Sequence, residues 1–344
     1  MTAKPEAVTP RGVTPSAGRD AGVPVEDLTF TGLHESGGRM TTALTPQPDV
    51  GSRADPAQEY LGRQLRRLRE ASGISRETAG RHIGSSEPKI SRIELGRTRV
   101  KDRDLHDLLT LYGVTDEVSR EAILGLASKL NQPQWWHDYG DVVSGWLRSY
   151  LVLESFTDKI RTYESRFIPG LLQTTAYAQA LVKHHYQNED EVRRRVEVRQ
   201  RRRQTLLDPR RLTRAPNGVI EPWLWAIIDE PALHERIGSA AVMREQIDFL
   251  IHATRNLHVR IQILPAGTAG LTGVGNSFSL LRLHTQELPD VVYLEHLAGA
   301  HFLYDPHEVD PYRLATERIG ITALHPSDTV TELEKAKRRL AVRF

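Results

Sequence analysis

"GSSEPKISRIELGRTRVK", residues 84–101, decides how the first folded part of this chain is read. Ile90 and Ile93 stand three apart, one narrow apolar face on a short helix. Lys89, Arg92 and Glu94 surround that face with charge. Ser86 sits where an N-cap belongs, and Pro88 is tolerated because a first helical turn has no N–H partner to lose. Gly96 ends the helix, and Arg97, Arg99 and Lys101 follow in a basic loop.

Working outward, "DPAQEYLGRQLRRLREASG" supplies a helix before it. Asp55 is its N-cap, Pro56 its first helical residue, and Gln58 stands at the capping-box position. Leu61, Leu65 and Leu68 form one stripe, with Arg66 and Arg67 off it, and Gly73 ends the helix. Ser75 caps a second helix, "RETAGRHI", with Ala79 and Ile83 inward and Gly80 small enough for close approach. "GSS" is the turn. "VKDRDLHDLLTLYG" gives a fourth helix with Leu105, Leu108, Leu109 and Tyr112 inward. Two helices joined by a three-residue turn, inside four or five short helices, form a helix-turn-helix. Ile90 and Ile93 then anchor the third helix while its N-terminal residues and far face can enter a major groove. Residues 57–113 hold 12 Lys and Arg against 8 Asp and Glu, with the basic residues flanking the turn and the following loop, where phosphates would lie.

Composition bounds the rest. The chain has 344 residues, which predicts two domains, with 39% hydrophobic and 26% charged residues. The net charge of +2 excludes a polycation, so a nucleic-acid surface has to be local. The absence of cysteine excludes disulfides, thiolate zinc sites and a cysteine nucleophile. No apolar run is long enough for a membrane span, and a cytoplasmic, nucleoid-associated protein without membrane contact is expected. Residues 1–54 read as a disordered tail rich in Pro, Gly, Ala, Ser and Thr. "GGRM" before "TTALTPQ" leaves open a true start at Met40.

The predicted organisation is therefore a tail (1–54), an all-α helix-turn-helix domain (55–115), a linking helix (116–132) from "TDEVSREAILGLASKLNQ", and a larger α+β domain (133–344). In the last, Trp146, Tyr150, Leu153 and Ile160 keep helical spacing. Strands follow Val219: "HVRIQILPAG", "SFSLLRL" and "DVVYLEHL". Met243, Ile247, Leu250 and Ile251 mark an amphipathic helix between strands, and two helices close the chain. The sheet is expected to be small and mostly antiparallel.

Catalytic signatures are missing: there is no G-x-S-x-G, H-E-x-x-H or G-x-x-x-x-G-K-[S/T], so an enzyme, a cofactor and a metal are not expected. "GLTGVGNS" joins two strands and does not open a helix, which argues against a phosphate cradle. Adjacent His184 and His185 point apart, and Glu154, Asp229, Glu230 and Glu295 are scattered. "PGLLQT" reads as a helix-breaking turn or as the edge of a groove near Gln173 and Tyr177. Arg193, Arg194, Arg195, Arg199, Arg201, Arg202 and Arg203 crowd one helix, either as a solvated face paired with Glu189, Asp190, Glu191 and Glu197 or as a surface for DNA backbone or an acidic partner.

Residues 57–113, "KISRIELGR" above all, resemble the Cro/C1-type (Xre) helix-turn-helix family. The resemblance implies that Arg76 meets phosphate and that Ser86, Glu87, Pro88, Lys89 and Arg92 face bases, with Ser85 beside them in the turn. Arg97, Arg99 and Lys101 would meet the DNA backbone, and Arg69 and Glu94 would pair between the first and third helices. Pro88 replaces a polar residue at a frequent base-contacting position, and Thr78 stands where a glutamate is common. "WWHDYGD", "RTYESRFIPGLLQTTAYAQAL", "RRRQTLL", "VMREQIDFL", "VRIQILPAG" and "DVVYLEH", across residues 133–325, resemble the C-terminal domain of unknown function of actinomycete-type regulators with such a head. That implies a transcriptional regulator binding double-stranded DNA, as a homodimer on an inverted repeat because one short helix reads too few bases. Some members resemble antitoxins that bind a small partner protein encoded nearby and autoregulate their operon. Whether the C-terminal region receives a ligand or such a partner stays open on sequence alone.

Overall fold

The computed structural model describes residues 54–204, 213–214, 220–256, 258–283, 288–296 and 299–343. The tail and the Met40 start fall outside the described residues, Ala54 excepted.

Helix α1 (Pro56–Ala71) opens on the expected cap: Asp55 Oδ1 accepts from the Ala57 and Gln58 N–H groups at 2.9 and 3.3 Å. Gln58 does not turn back to complete a capping box. Its carboxamide lies between the Gly96 carbonyl and Arg99 Nε, at 3.2 and 3.1 Å, with the nitrogen assigned toward the carbonyl. Helices α2 (Arg76–His82), α3 (Glu87–Glu94) and α4 (Asp102–Leu111) follow as predicted. Ser75 Oγ accepts from the Thr78 N–H at 3.0 Å. Ser86 occupies the α3 cap position, yet its hydroxyl makes no cap bond, so Pro88 and the local turn set this entry. Leu65, Ile90, Leu105, Leu108 and Leu109 are buried together. Helix α5 (Glu117–Asn131) is no free linker: Leu126 and Ala127 are buried, and Lys129 Nζ bonds the Ser155 carbonyl at 3.1 Å.

Trp135–Tyr139 form a 3-10 turn, and α6 (Gly145–Glu154) follows. The helical spacing expected to run on to Ile160 breaks there. Residues Thr157–Glu164 are strand β1, and Ile160 is buried in the sheet. The seven-residue step from Leu153 to Ile160 fits a continuing helix as well as a helix-to-strand junction, so periodicity alone cannot tell them apart. Then come α7 (Thr175–Lys183), α8 (Glu189–Gln204) and a two-stranded ribbon of β2 (Thr213–Arg214) and β3 (Ile220–Glu221). The remainder is β4 (Leu224–Asp229), α9 (Ala240–Ala253), β5 (Val259–Leu264), α10 (Ala269–Thr272), β6 (Phe278–Leu283), β7 (Val291–His296), β8 (Gly299–Leu303), α11 (Pro306–Thr322) and α12 (Thr329–Arg343).

The sheet differs from expectation. It has six strands in the order β5-β4-β1-β6-β7-β8, and it is mixed. β1, β4 and β5 run parallel, while β6, β7 and β8 continue from β1 in antiparallel pairs. Parallel neighbours need long crossovers. The β1–β4 connection holds α7 and α8, and the β4–β5 connection holds α9. β1 was hidden in a helical reading, so its pairings could not be foreseen.

One sheet face, with Ile160, Ala226, Ile228 and Leu281, packs on Met243, Ile247 and Leu250 of α9. The other, with Tyr163, Ile227, Phe278, Leu280 and Val292, packs on Val309 and Ile319 of α11. The first cluster runs without a break into the helix-turn-helix residues. Polar contacts reinforce that junction at the start of α1. Ser149 Oγ donates to Asp55 Oδ1 at 2.9 Å, Tyr60 OH to the Pro289 carbonyl at 2.9 Å, and Tyr304 OH to the Pro56 carbonyl at 2.8 Å.

Candidate nucleic-acid interface

The helix-turn-helix is held by close backbone approaches at glycine. Gly84, in the turn, has φ +61°, a conformation that favours glycine. A Cβ on Gly80 would lie 2.9 Å from the Ser86 carbonyl carbon, so α2 and the entry to α3 touch backbone to backbone. Gly62, in the middle of α1, was not singled out by the sequence reading. A Cβ there would lie 2.4 Å from the Ile93 carbonyl oxygen. A glycine inside a helix is itself the signal, since its helix propensity is poor unless a neighbour needs the space.

A three-membered charge network locks α3 from below. Arg69 Nε donates to Glu94 Oε1 at 2.5 Å, and Arg69 Nη1 to the Ile74 carbonyl at 2.8 Å. Arg76 Nε donates to Glu94 Oε2 at 2.9 Å. The Arg69 and Glu94 side chains are 7% and 2% exposed, so the expected pair exists and is buried. Hydrogen bonding to Glu94 holds the Arg69 guanidinium above its ordinary pKa against the opposing effect of burial.

The candidate DNA-facing residues separate into two groups. Ser86, Glu87, Pro88 and Arg92 are exposed on α3, and Arg97, Arg99 and Lys101 are exposed in the loop behind it; Ser85 is half-buried in the turn. Two others are engaged within the fold. Arg76 is spent on Glu94, and Lys89 Nζ donates to Asp104 Oδ2 of α4 at 2.8 Å. Gln58 and Asp104 thus steer cationic side chains beside the exposed face of α3. Neither could be found from its own segment, because the contacts join elements far apart in sequence.

The arginines of α8 are largely consumed by neighbouring elements. Arg194 bonds Asp141 at 2.8 Å and lies over Tyr139. Arg195 bonds Glu191 at 2.8 Å and lies 3.8 Å from the Tyr186 ring centre. Arg201 lies over Trp135 and Tyr139. Arg202 bonds Glu154 at 2.8 Å and covers Tyr150. Arg203 bonds the Gln173 carbonyl and covers Phe249. Arg193 is 65% exposed and pairs with Asp190 on its own helix. "WWHDYGD" is therefore the aromatic and acidic seat of this basic helix.

The scattered carboxylates do not converge. Glu154 serves Arg202, Asp229 accepts from Tyr163 OH, Glu230 accepts from Arg339, and Glu295 accepts from Tyr293 OH. Gln173 and Tyr177 are buried and bonded around Ile168, so "PGLLQT" is a packed turn. Among the described residues no helix is long and apolar enough to cross a membrane.

Residues 60–122 match a family model described as a helix-turn-helix domain. Residues 147–335 match a model described as a domain of unknown function (DUF5753). No curated protein and no solved structure matches the chain.

Proposed function

Because this chain belongs to the DUF5753 family, with a helix-turn-helix domain ahead of that region, we propose that it is a sequence-specific transcriptional regulator of the Cro/C1 (Xre) type. The observation that carries the reading is α3: buried on Ile90 and Ile93, and exposing Ser86, Glu87 and Arg92 with three cationic residues behind them. In this reading α3 enters the major groove of double-stranded DNA, and Arg97, Arg99 and Lys101 neutralise phosphates. The protein acts in the cytoplasm on the nucleoid, as a homodimer on an inverted repeat. The C-terminal region receives a ligand or a partner, and the junction at Asp55, Tyr60 and Tyr304 transmits the result to the head. In vivo crosslinking followed by sequencing of bound DNA tests it. Recovery of an inverted-repeat sequence is expected; uniform recovery across the genome would refute sequence-specific regulation.

A further inference from the structure

Helix α3 carries two cations, and the fold treats them differently. Arg92 is exposed and makes no ion pair among the described residues. Lys89 is drawn sideways to α4, where its Nζ donates to Asp104 Oδ2 at 2.8 Å. The side chains of this pair are 27% and 15% exposed. Both ends are fixed by their surroundings. Lys89 shares a side of the helix with buried Ile93, so its stem leaves at the rim of the buried face. Asp104 lies in the first turn of α4, where the helix dipole favours a carboxylate, and it adjoins fully buried Leu105. A partly shielded pair of this kind is screened by salt less than an exposed one.

The place of the pair gives it a consequence for DNA. Ser86, Glu87, Pro88 and Arg92 are the exposed residues of α3, and Arg97, Arg99 and Lys101 lie in the loop that joins α3 to α4. Asp104 follows that loop closely, yet it holds the lysine of α3 and not a cation of the loop. A free lysine on a groove face adds affinity for any duplex, by meeting a phosphate and releasing a counterion. A lysine whose charge is already paired adds less. An ammonium group has three donors, and Asp104 takes one of them. The remaining donors keep a set direction, and a hydrogen bond to guanine O6 or N7 depends on direction.

We propose that Asp104 is a specificity-determining residue, which competes with DNA phosphates for Lys89 and so holds down binding to sequences other than the operator. This rests on the reading of α3 as the helix that enters the major groove. Asp104 itself meets no base in this scheme and acts through Lys89 as a positioning residue.

The test is a double-substitution cycle on the full chain. Fluorescence anisotropy reads binding to a scrambled duplex and to the duplex that the parent selects from a randomised library. Asp104→Asn keeps the size of the side chain and removes its charge. It should bind the scrambled duplex about threefold more tightly than the parent, or better, with a salt dependence steeper by about one unit of slope, because the released lysine gains a phosphate. Affinity for the selected duplex should rise less, so the ratio between the two falls. In a Lys89→Gln background, Asp104→Asn should raise scrambled-duplex affinity far less and leave the slope alone. Equal gains in both backgrounds would mean that Asp104 merely repels DNA, and that outcome overturns the proposal. So does an Asp104→Asn chain that binds the scrambled duplex no better than the parent. Failure of the parent to bind any duplex refutes the groove reading and this proposal with it, whereas parent binding with additive substitutions refutes this proposal alone.

Discussion

Ser149 Oγ lies 2.9 Å from Asp55 Oδ1, the same oxygen that caps α1 of the DNA-binding head. One carboxylate therefore starts the first helix and ties it to α6. α6 in turn holds Glu154, the partner of Arg202 on α8.

That sharing orders two substitutions. Ser149→Ala removes a fully buried hydroxyl that bonds Asp55 Oδ1 and the Gly145 carbonyl, and should cost about 0.5–1.5 kcal/mol. Asp55→Ala removes the cap as well and should cost more, about 1–2 kcal/mol for the cap alone. Urea midpoints of the two variants check the order.

Glu94→Ala strands Arg69 in the core of the head. Breaking a buried pair by removing one partner costs about 3–5 kcal/mol. Glu87→Ala, on the exposed face of the same helix, should stay within about 0.5 kcal/mol of the parent. Equal denaturation midpoints for the two would show that the pair is not stabilising.

On DNA, reading and holding should fail differently. Arg92→Ala should cost about 1–3 kcal/mol on the operator and much less on random duplex. Arg99→Ala should weaken both alike and flatten the salt dependence by about one unit of slope. Lys89→Ala should have a smaller effect than Arg92→Ala, because Asp104 already holds the ammonium group. Salt titrations by fluorescence anisotropy on operator and scrambled duplexes measure all three.

Arg202→Ala leaves Glu154, whose side chain is 4% exposed, without its cation, whereas Arg193→Ala removes an exposed pair. The first should lower the melting temperature by several degrees and the second should barely move it. Comparable shifts in thermal scans would mean that α8 is not seated through Arg202.

Glu164 provides the pH test. Its folded pKa is raised to about 8, above the ordinary carboxyl value of 4.5, chiefly by burial. The folded state then binds more protons than the unfolded chain between those values, so its contribution to stability falls as pH rises through that window. Tyr177 of α7, Glu295 and Ser277 are the groups that face it. Glu164→Gln should be more stable than the parent at pH 9 and close to it at pH 4, measured by urea denaturation at both.

The helix-turn-helix was legible because its signals are local. Asp55, Ser75, the spacing of Ile90 and Ile93, and Gly96 each act within one or two turns of chain, where capping and periodicity decide the outcome. The strands β5, β6 and β7 were legible for the same reason. β1 was not, because its apolar residues continue the spacing of α6, and only pairing with β4 and β6 makes it a strand.

The amino-acid sequence by itself determined the order and kind of most elements and which residues are exposed on α3 and in the loop behind it. Tertiary structure alone decided that the sheet is mixed and that Lys89 and Arg76 are committed to Asp104 and Glu94. It also decided that the arginines of α8 are seated on Trp135, Tyr139, Asp141 and Glu154, while Arg199 among them lacks a carboxylate partner within the described residues. The physical reason is range. Caps and apolar periods act between residues a few positions apart, whereas ion pairs, strand register and burial join groups separated by dozens of residues.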